Sequence, residues 1–251
     1  MKNQKLILLL SAIMMIFSNA DGQNSGSIIY EQKSKLNIDI DDDNQEMLSN
    51  VPKEHISSRE LIFDSTASIF QSISKKNEDE TIEGESGKGT MVIKMNVPDD
   101  HIYCDLIGKR RIEQRDFMSR KFLIEIPFSS SSWKLTGRQK DILNYPCQEA
   151  ILQDTIRKVT AWFTSAIPLS TGPSGVCNLP GLVLRAELNG GEISFEAKSI
   201  DLKAVDHKSI VRPTEGKKVS REEFNKIVME KNKEMDEQGG GNGNVIIHIK
   251  K

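Results

Sequence analysis

Three cysteines, four histidines, the Ser-x-x-Lys step at Ser72–Lys75 and an acidic run are groups in this 251-residue sequence that could form a chemical site. Asp39-Ile40-Asp41-Asp42-Asp43-Asn44 begins as a calcium loop does. Such a loop needs glycine at its sixth position and a bidentate glutamate at its twelfth, where this chain has Asn44 and Asn50, so the run reads as a solvated acidic loop. Ser72-Ile73-Ser74-Lys75 has the spacing of a serine acylase, but its context is strand-like and no S-D-N or K-T-G element accompanies it. There is no G-x-S-x-G, and Ser174 lies in a turn between Pro173 and Gly175. His55, His101, His207 and His248 are scattered, without H-x-H or H-E-x-x-H spacing. Gly239–Gly243 lacks the Lys-Ser/Thr of a phosphate loop and follows a helix instead of opening one. Cys104, Cys147 and Cys177 form an odd set with no C-x-x-C. These residues imply no catalytic set, metal or cofactor, and an enzyme ranks last among the functional readings.

The N-terminus carries its own instruction. Lys2 and Lys5 precede an apolar run, Leu6–Phe17, too short to span a bilayer and followed by Ser18-Asn19-Ala20 or Ala20-Asp21-Gly22 as cleavage sites. Residues 1–20 are therefore expected to be a signal peptide. The mature chain would begin at Asp21 or Gln23 and work outside the cytoplasm, in the periplasm or secreted. Removing Lys2 and Lys5 from the 34 basic residues leaves 32 against 36 acidic, a net charge of −4 with no basic patch for nucleic acid. With 37% hydrophobic and 28% charged residues, 21–251 fits a single domain carrying polar loops at 39–54 and 75–89.

The elements that must position any site are mostly strands. Alternation predicts strands over Ser27–Ile40, Leu61–Phe63, Ile69–Phe70, Thr90–Val97, His101–Leu106, Arg111–Phe117 and Lys121–Phe128, with a short one at Trp133–Leu135. Tyr145–Asp154 with Ile156–Thr164, and Leu182–Leu188 with Glu192–Lys198, read as hairpins, the second turned by Asn189-Gly190-Gly191. Ser220-Arg221-Glu222-Glu223 is a capping box opening a helix to Gln238, with Phe224, Ile227, Val228 and Met235 on one stripe. Asn244–Lys250 reads as a last strand. The fold class is thus α+β, mostly β: a curved antiparallel meander, open or as a half-barrel, with one C-terminal helix.

Between Trp162 and Leu182 the chain packs Pro168, Gly172-Pro173 and Leu179-Pro180-Gly181 into a tightly constrained path. This segment resembles the signature of the GLPGLI family, exported proteins of Bacteroidota-type bacteria. The resemblance extends to Leu61-Ile62-Phe63-Asp64, Gln114-Arg115-Asp116-Phe117, Trp133-Lys134-Leu135 and Ile142–Ala150, and so covers most of the mature chain. Val176 stands where the family has Phe, and Asn144 and Asn178 where it has Gly; asparagine tolerates left-handed geometry, so the path should survive. The family-like elements imply a Cys147–Cys177 disulfide across the Pro-rich loop, with Cys104 left over. The family association also implies, as a second functional reading, an accessory of outer-membrane transport machinery.

The leading reading is an exported, non-catalytic envelope protein that binds an apolar or extended, peptide-like ligand, or a partner chain such as an outer-membrane protein, on its sheet. Trp162, Pro168, Gly172, Pro173, Leu179, Pro180, Gly181 and Leu182 form the candidate ligand or partner loop. Trp162, Phe163, Phe122, Phe195, Trp133 and Tyr145 either line a groove or simply pack the core. Leu182, Leu184, Ala186 and Leu188 share one strand face, where one helix can cover only two or three strands, so an apolar patch is expected beside Gly172–Gly181. On that reading Leu179→Ser weakens binding with stability nearly unchanged, and Leu184→Asp abolishes binding or misfolds the chain.

Overall fold

Burial along the first strand, β1 (Gly26–Lys35), alternates as a half-buried strand must: Ile28 and Tyr30 are fully buried and Ile29 and Glu31 are not. The computed structural model describes residues 24–36, 51–73, 80–86, 89–95, 100–128, 132–154, 158–237 and 245–250. The expected signal peptide at 1–20, the acidic run from Asp39 to Asn50, Ser74-Lys75 and Gly239–Gly243 lie outside the described residues.

Along the chain, β1 is followed by β2 (Glu54–Phe63), β3 (Ala67–Ser72), β4 (Glu80–Ser86), β5 (Gly89–Met95), β6 (His101–Asp105), β7 (Arg110–Phe117) and β8 (Arg120–Pro127). Then come β9 (Trp133–Ile142), β10 (Tyr145–Leu152), β11 (Val159–Thr164), β12 (Leu182–Leu188), β13 (Ile193–Asp201), β14 (Lys217–Val219), helix α1 (Arg221–Glu237) and β15 (Val245–Lys250). Twelve strands form one mixed sheet in the order β14-β8-β7-β6-β3-β2-β1-β13-β12-β11-β10-β9. Two antiparallel meanders are joined where β1 pairs with β13, from Ser27 opposite Asp201 to Ser34 opposite Ile193. Among the described residues only the β14–β8 pair is parallel. β15, β5 and β4 make a separate three-stranded sheet. The segment 75–89, expected to be a polar loop, thus contains β4, and β9 runs well past the Leu135 end expected for it.

Connectivity forces the large sheet to curl. Ten strand spacings separate β8 from β9 in the sheet, about 48 Å if it were flat. Yet Pro127 and Trp133 are six residues apart, a reach of about 20 Å. The two limbs must therefore approach each other, although the sheet is not closed into a barrel. The inner face holds the main core, with Tyr30, Leu61, Phe63, Phe70, Phe163, Leu184 and Phe195 all buried. Phe70 packs edge-on to Phe195 and Tyr30 at ring-centroid distances of 5.5 and 6.1 Å. On the outer face, Ala67 and Ile69 pack under Ile210.

The capping box forms as read: the Glu223 amide donates to Ser220 Oγ at 3.0 Å, and the Ser220 amide to Glu223 Oε2 at 2.8 Å. α1 packs over the β8 end, where Phe224 meets Phe122 and Phe117 edge-on at 5.3 and 6.4 Å.

Candidate functional site

The segment between β11 and β12 turns inward. Ile167, Leu169, Val176 and Leu179 are all buried in the main core, Leu179 at 2% exposure. An inward loop must satisfy its backbone polar groups. Within the segment, Leu182 N–H donates to the Ile167 carbonyl, Val183 N–H to Thr171 and Thr171 N–H to Leu169. The surrounding strands supply the remaining ties. Tyr30 Oη (β1) donates to the Val183 carbonyl at 2.6 Å, and Ser68 Oγ (β3) lies 2.7 Å from Thr171 Oγ1. Arg111 Nη1 (β7) donates to the Gly175 carbonyl at 2.8 Å, and Trp133 Nε1 (β9) to the Cys177 carbonyl at 3.0 Å. The segment is an internal plug that bridges the two limbs of the sheet.

The positions of the candidate loop residues follow from that geometry. Gly172, Pro173, Leu179, Gly181 and Leu182 are buried, Pro168 and Pro180 are exposed, and Trp162 is half-buried. A Cβ on Gly181 would stand 2.0 Å from the Thr164 carbonyl oxygen, and one on Gly172 would stand 2.5 Å from Val183 Cβ. Asn178 takes φ 66° and Asn144 φ 64°, the left-handed geometry expected of both. The expectation that Leu179 faces a ligand is corrected: its side chain fills the protein's own core. Leu182, Leu184 and Ala186 are likewise fully buried.

The Cys147–Cys177 bridge is not formed. Cys104 lies on β6 with Cys177 as an electrostatic neighbour, and burial first, then that neighbour, pushes its thiol up to about 12. Cys147 sits instead near Lys140 and Asp141, and burial pushes it up to about 11. Such thiols stay protonated near neutrality and are poor nucleophiles.

Two charged arrangements had no motif to announce them. Glu113, 1% exposed on β7, pairs with Arg111 at 2.9 Å, Arg115 at 2.6 Å and Arg221 of α1. Burial alone would raise its pKa, but Arg115, Arg111 and Arg221 hold the carboxyl at about 2. Since Arg111 also holds the plug, this cluster ties helix, sheet and plug together. The nearest sequence signal is Arg111-Glu113-Arg115, charges at every second residue and hence on one strand face. Asp64 Oδ2 lies 2.6 Å from His207 Nδ1, while its Oδ1 accepts from the Thr66 and Ala67 amides. This clasps the segment after β13 to the β2–β3 turn.

With this geometry in view, comparison with known proteins is specific about the plug and general about the rest. A family model described as "Protein of unknown function (Porph_ging)" matches residues 153–185. No curated protein matches the sequence. Among solved structures, PNGF-II in its P21 crystal form is similar over 83% of this chain at 15% identity and a TM-score of 0.53. Its C2 form matches over 83% of this chain at 14% identity and a TM-score of 0.47. The chain spans about a third of the PNGF-II chain, 34% and 33% in the two forms. At this identity the likeness concerns the fold alone.

The residues matched by the family model include β11, the plug and the start of β12. What remains open lies at the rim. Among the described residues β9 forms one edge of the large sheet for ten residues. Lys134, Arg138 and Gln139 on it are exposed. Lys140 Nζ stands 4.3 Å from the centroid of the Trp162 ring, and Arg138 Nε donates to the buried Glu149 at 2.6 Å. Gly137, at φ 81°, coincides with a register shift against β10 and kinks the edge.

Proposed function

We propose that this is an exported, non-catalytic envelope protein that binds a partner chain, which adds a strand along β9. The observation that carries this reading is the plug. With Ile167, Leu169, Val176 and Leu179 filling the inner face, the sheet has its own chain where a ligand would lie, whereas among the described residues β9 leaves a ten-residue edge open. Lysines and a kink on an edge strand discourage indiscriminate pairing. Arg138 is balanced by the buried Glu149, which leaves Lys134 and Lys140 against the single Asp141 to favour an extended segment rich in carboxylates. The likeness to PNGF-II, where a similar fold occupies about a third of a longer chain, supports a fold that works beside other polypeptide. The GLPGLI-like signature and the leader at 1–20 support an extracytoplasmic setting. A component of outer-membrane transport machinery is one partner that would fit there.

The test uses a synthetic ten-residue peptide of alternating valine and glutamate and hydrogen exchange on the mature chain. The peptide is expected to slow exchange along β9. Lys134→Glu combined with Gln139→Glu, both at exposed positions, should weaken that protection roughly tenfold in peptide concentration. A valine–lysine peptide that protects β9 equally well, or protection confined to residues 165–181, would overturn the proposal.

A further inference from the structure

A cleft of about 480 Å³ lies between α1 and the β14–β8 edge, and none of the residues lining it belongs to the plug or to β9. We infer that it binds a single-chain amphiphile with an anionic head, of the fatty-carboxylate class. Its floor is apolar: Ile227 lies half-buried in the second turn of the helix, beside Phe122, which is 4% exposed and packed on Phe224. Its rim is cationic, carrying Arg120, Lys121, Lys217 and Lys231. Glu230 is the one carboxylate among the lining residues, and it lies 3.8 Å from Lys226 one helical turn away. Lys121 is held by Glu215 at 2.7 Å and Lys231 by Glu234. Arg120 and Lys217 have no ion pair among the described residues, so two cations at the mouth await an anion.

Size, floor and rim agree on the ligand. The volume falls within the range of small-molecule sites. An apolar floor gains from burying an aliphatic chain, and unpaired cations beside it gain from a carboxylate. A purely polar anion would leave Phe122 and Ile227 unused, and an uncharged hydrocarbon would leave the cations unanswered. The site is independent of the β9 proposal, and either can fail alone.

The experiment is an amide-shift titration of the mature chain with dodecanoate below its micelle concentration. The expected result is saturable one-to-one binding, with shifts centred on β8, β14 and the middle of α1. Arg120→Glu with Lys217→Glu alters only exposed side chains, and near-ultraviolet circular dichroism checks the fold. This double variant should bind at least roughly tenfold more weakly. Dodecyltrimethylammonium, with the same chain and opposite charge, should not bind at the cleft, and neither should acetate. Equal binding of the ammonium compound, unchanged affinity in the double variant, or shifts centred elsewhere would overturn the inference. So would failure of dodecanoate to bind when phosphatidylglycerol vesicles do, which would make the patch a membrane-surface contact.

Discussion

Glu113→Gln is expected to lower the stability of the protein by about 3 kcal/mol and its melting temperature by about 10 °C. The substitution preserves shape and leaves Arg111, Arg115 and Arg221 around a group that can no longer balance them. Their side chains are 16%, 24% and 30% exposed, so water offsets only part of the loss. The effect should also depend on pH in a defined direction. In the folded chain the Glu113 carboxyl titrates at about 2, against 4.5 ordinarily. A depressed folded-state pKa gives stability that is fully present above about 4.5 and lost as pH falls towards 2. The difference in urea midpoint between native protein and Glu113→Gln should therefore be constant from pH 7 to about 5 and shrink steadily below that. Asp64, also held at about 2, titrates in both proteins and cancels from the comparison. A difference that stays constant down to pH 2.5 would show that the carboxylate charge is not what holds the cluster.

How much of this was legible in the sequence depends on how far each signal reaches. The Ser220–Glu223 capping box, the Asn189-Gly190 turn and the left-handed Asn144 and Asn178 are local chemistry, and the structure has all of them. So is the alternation that marks β1, β6, β7, β8 and β12. The pairing of β1 with β13 joins residues about 170 positions apart, and no local pattern announces it. β9 extends past Leu135 because Gln139–Ile142 pairs with β10 beyond the register shift at 136–138, although its polar composition resembles a loop. β4 was hidden in the same way by glutamates and glycine. Glu113 escaped notice because RRIEQRDF has charges on both faces, and only the packing of α1 over one of them distinguishes a buried glutamate from a solvated one. The plug was recognised as unusual backbone but read in the wrong direction. Three prolines and several glycines indicate a fixed path, and whether that path runs inward depends on the curl of the sheet.

That direction yields the other large effect. Gly181→Ala is expected to destabilise the chain by about 3 kcal/mol or more, enough to leave much of it unfolded on expression at 37 °C. The added methyl would stand 2.0 Å from the Thr164 carbonyl oxygen, 2.6 Å from its carbon and 3.0 Å from Ser165 Cα. All three are backbone atoms, and Thr164 is held in register opposite Leu182, so no rotamer change relieves the clash. Gly190→Ala is the control. Gly190 has a left-handed φ, 72°, and open space around it, so the change should cost about 1 kcal/mol from backbone strain alone. Leu179→Ser belongs to the same test and reverses the expectation drawn from sequence. A leucine 2% exposed in the main core leaves a cavity and a buried hydroxyl when replaced, so stability should fall by about 2–4 kcal/mol instead of staying level. Thermal melts followed by circular dichroism rank the three. If Leu179→Ser and Gly181→Ala both melt within about 2 °C of the native protein, the segment does not lie against the sheet. The inner face would then be open to a ligand, and the argument for a partner at β9 would lose its foundation.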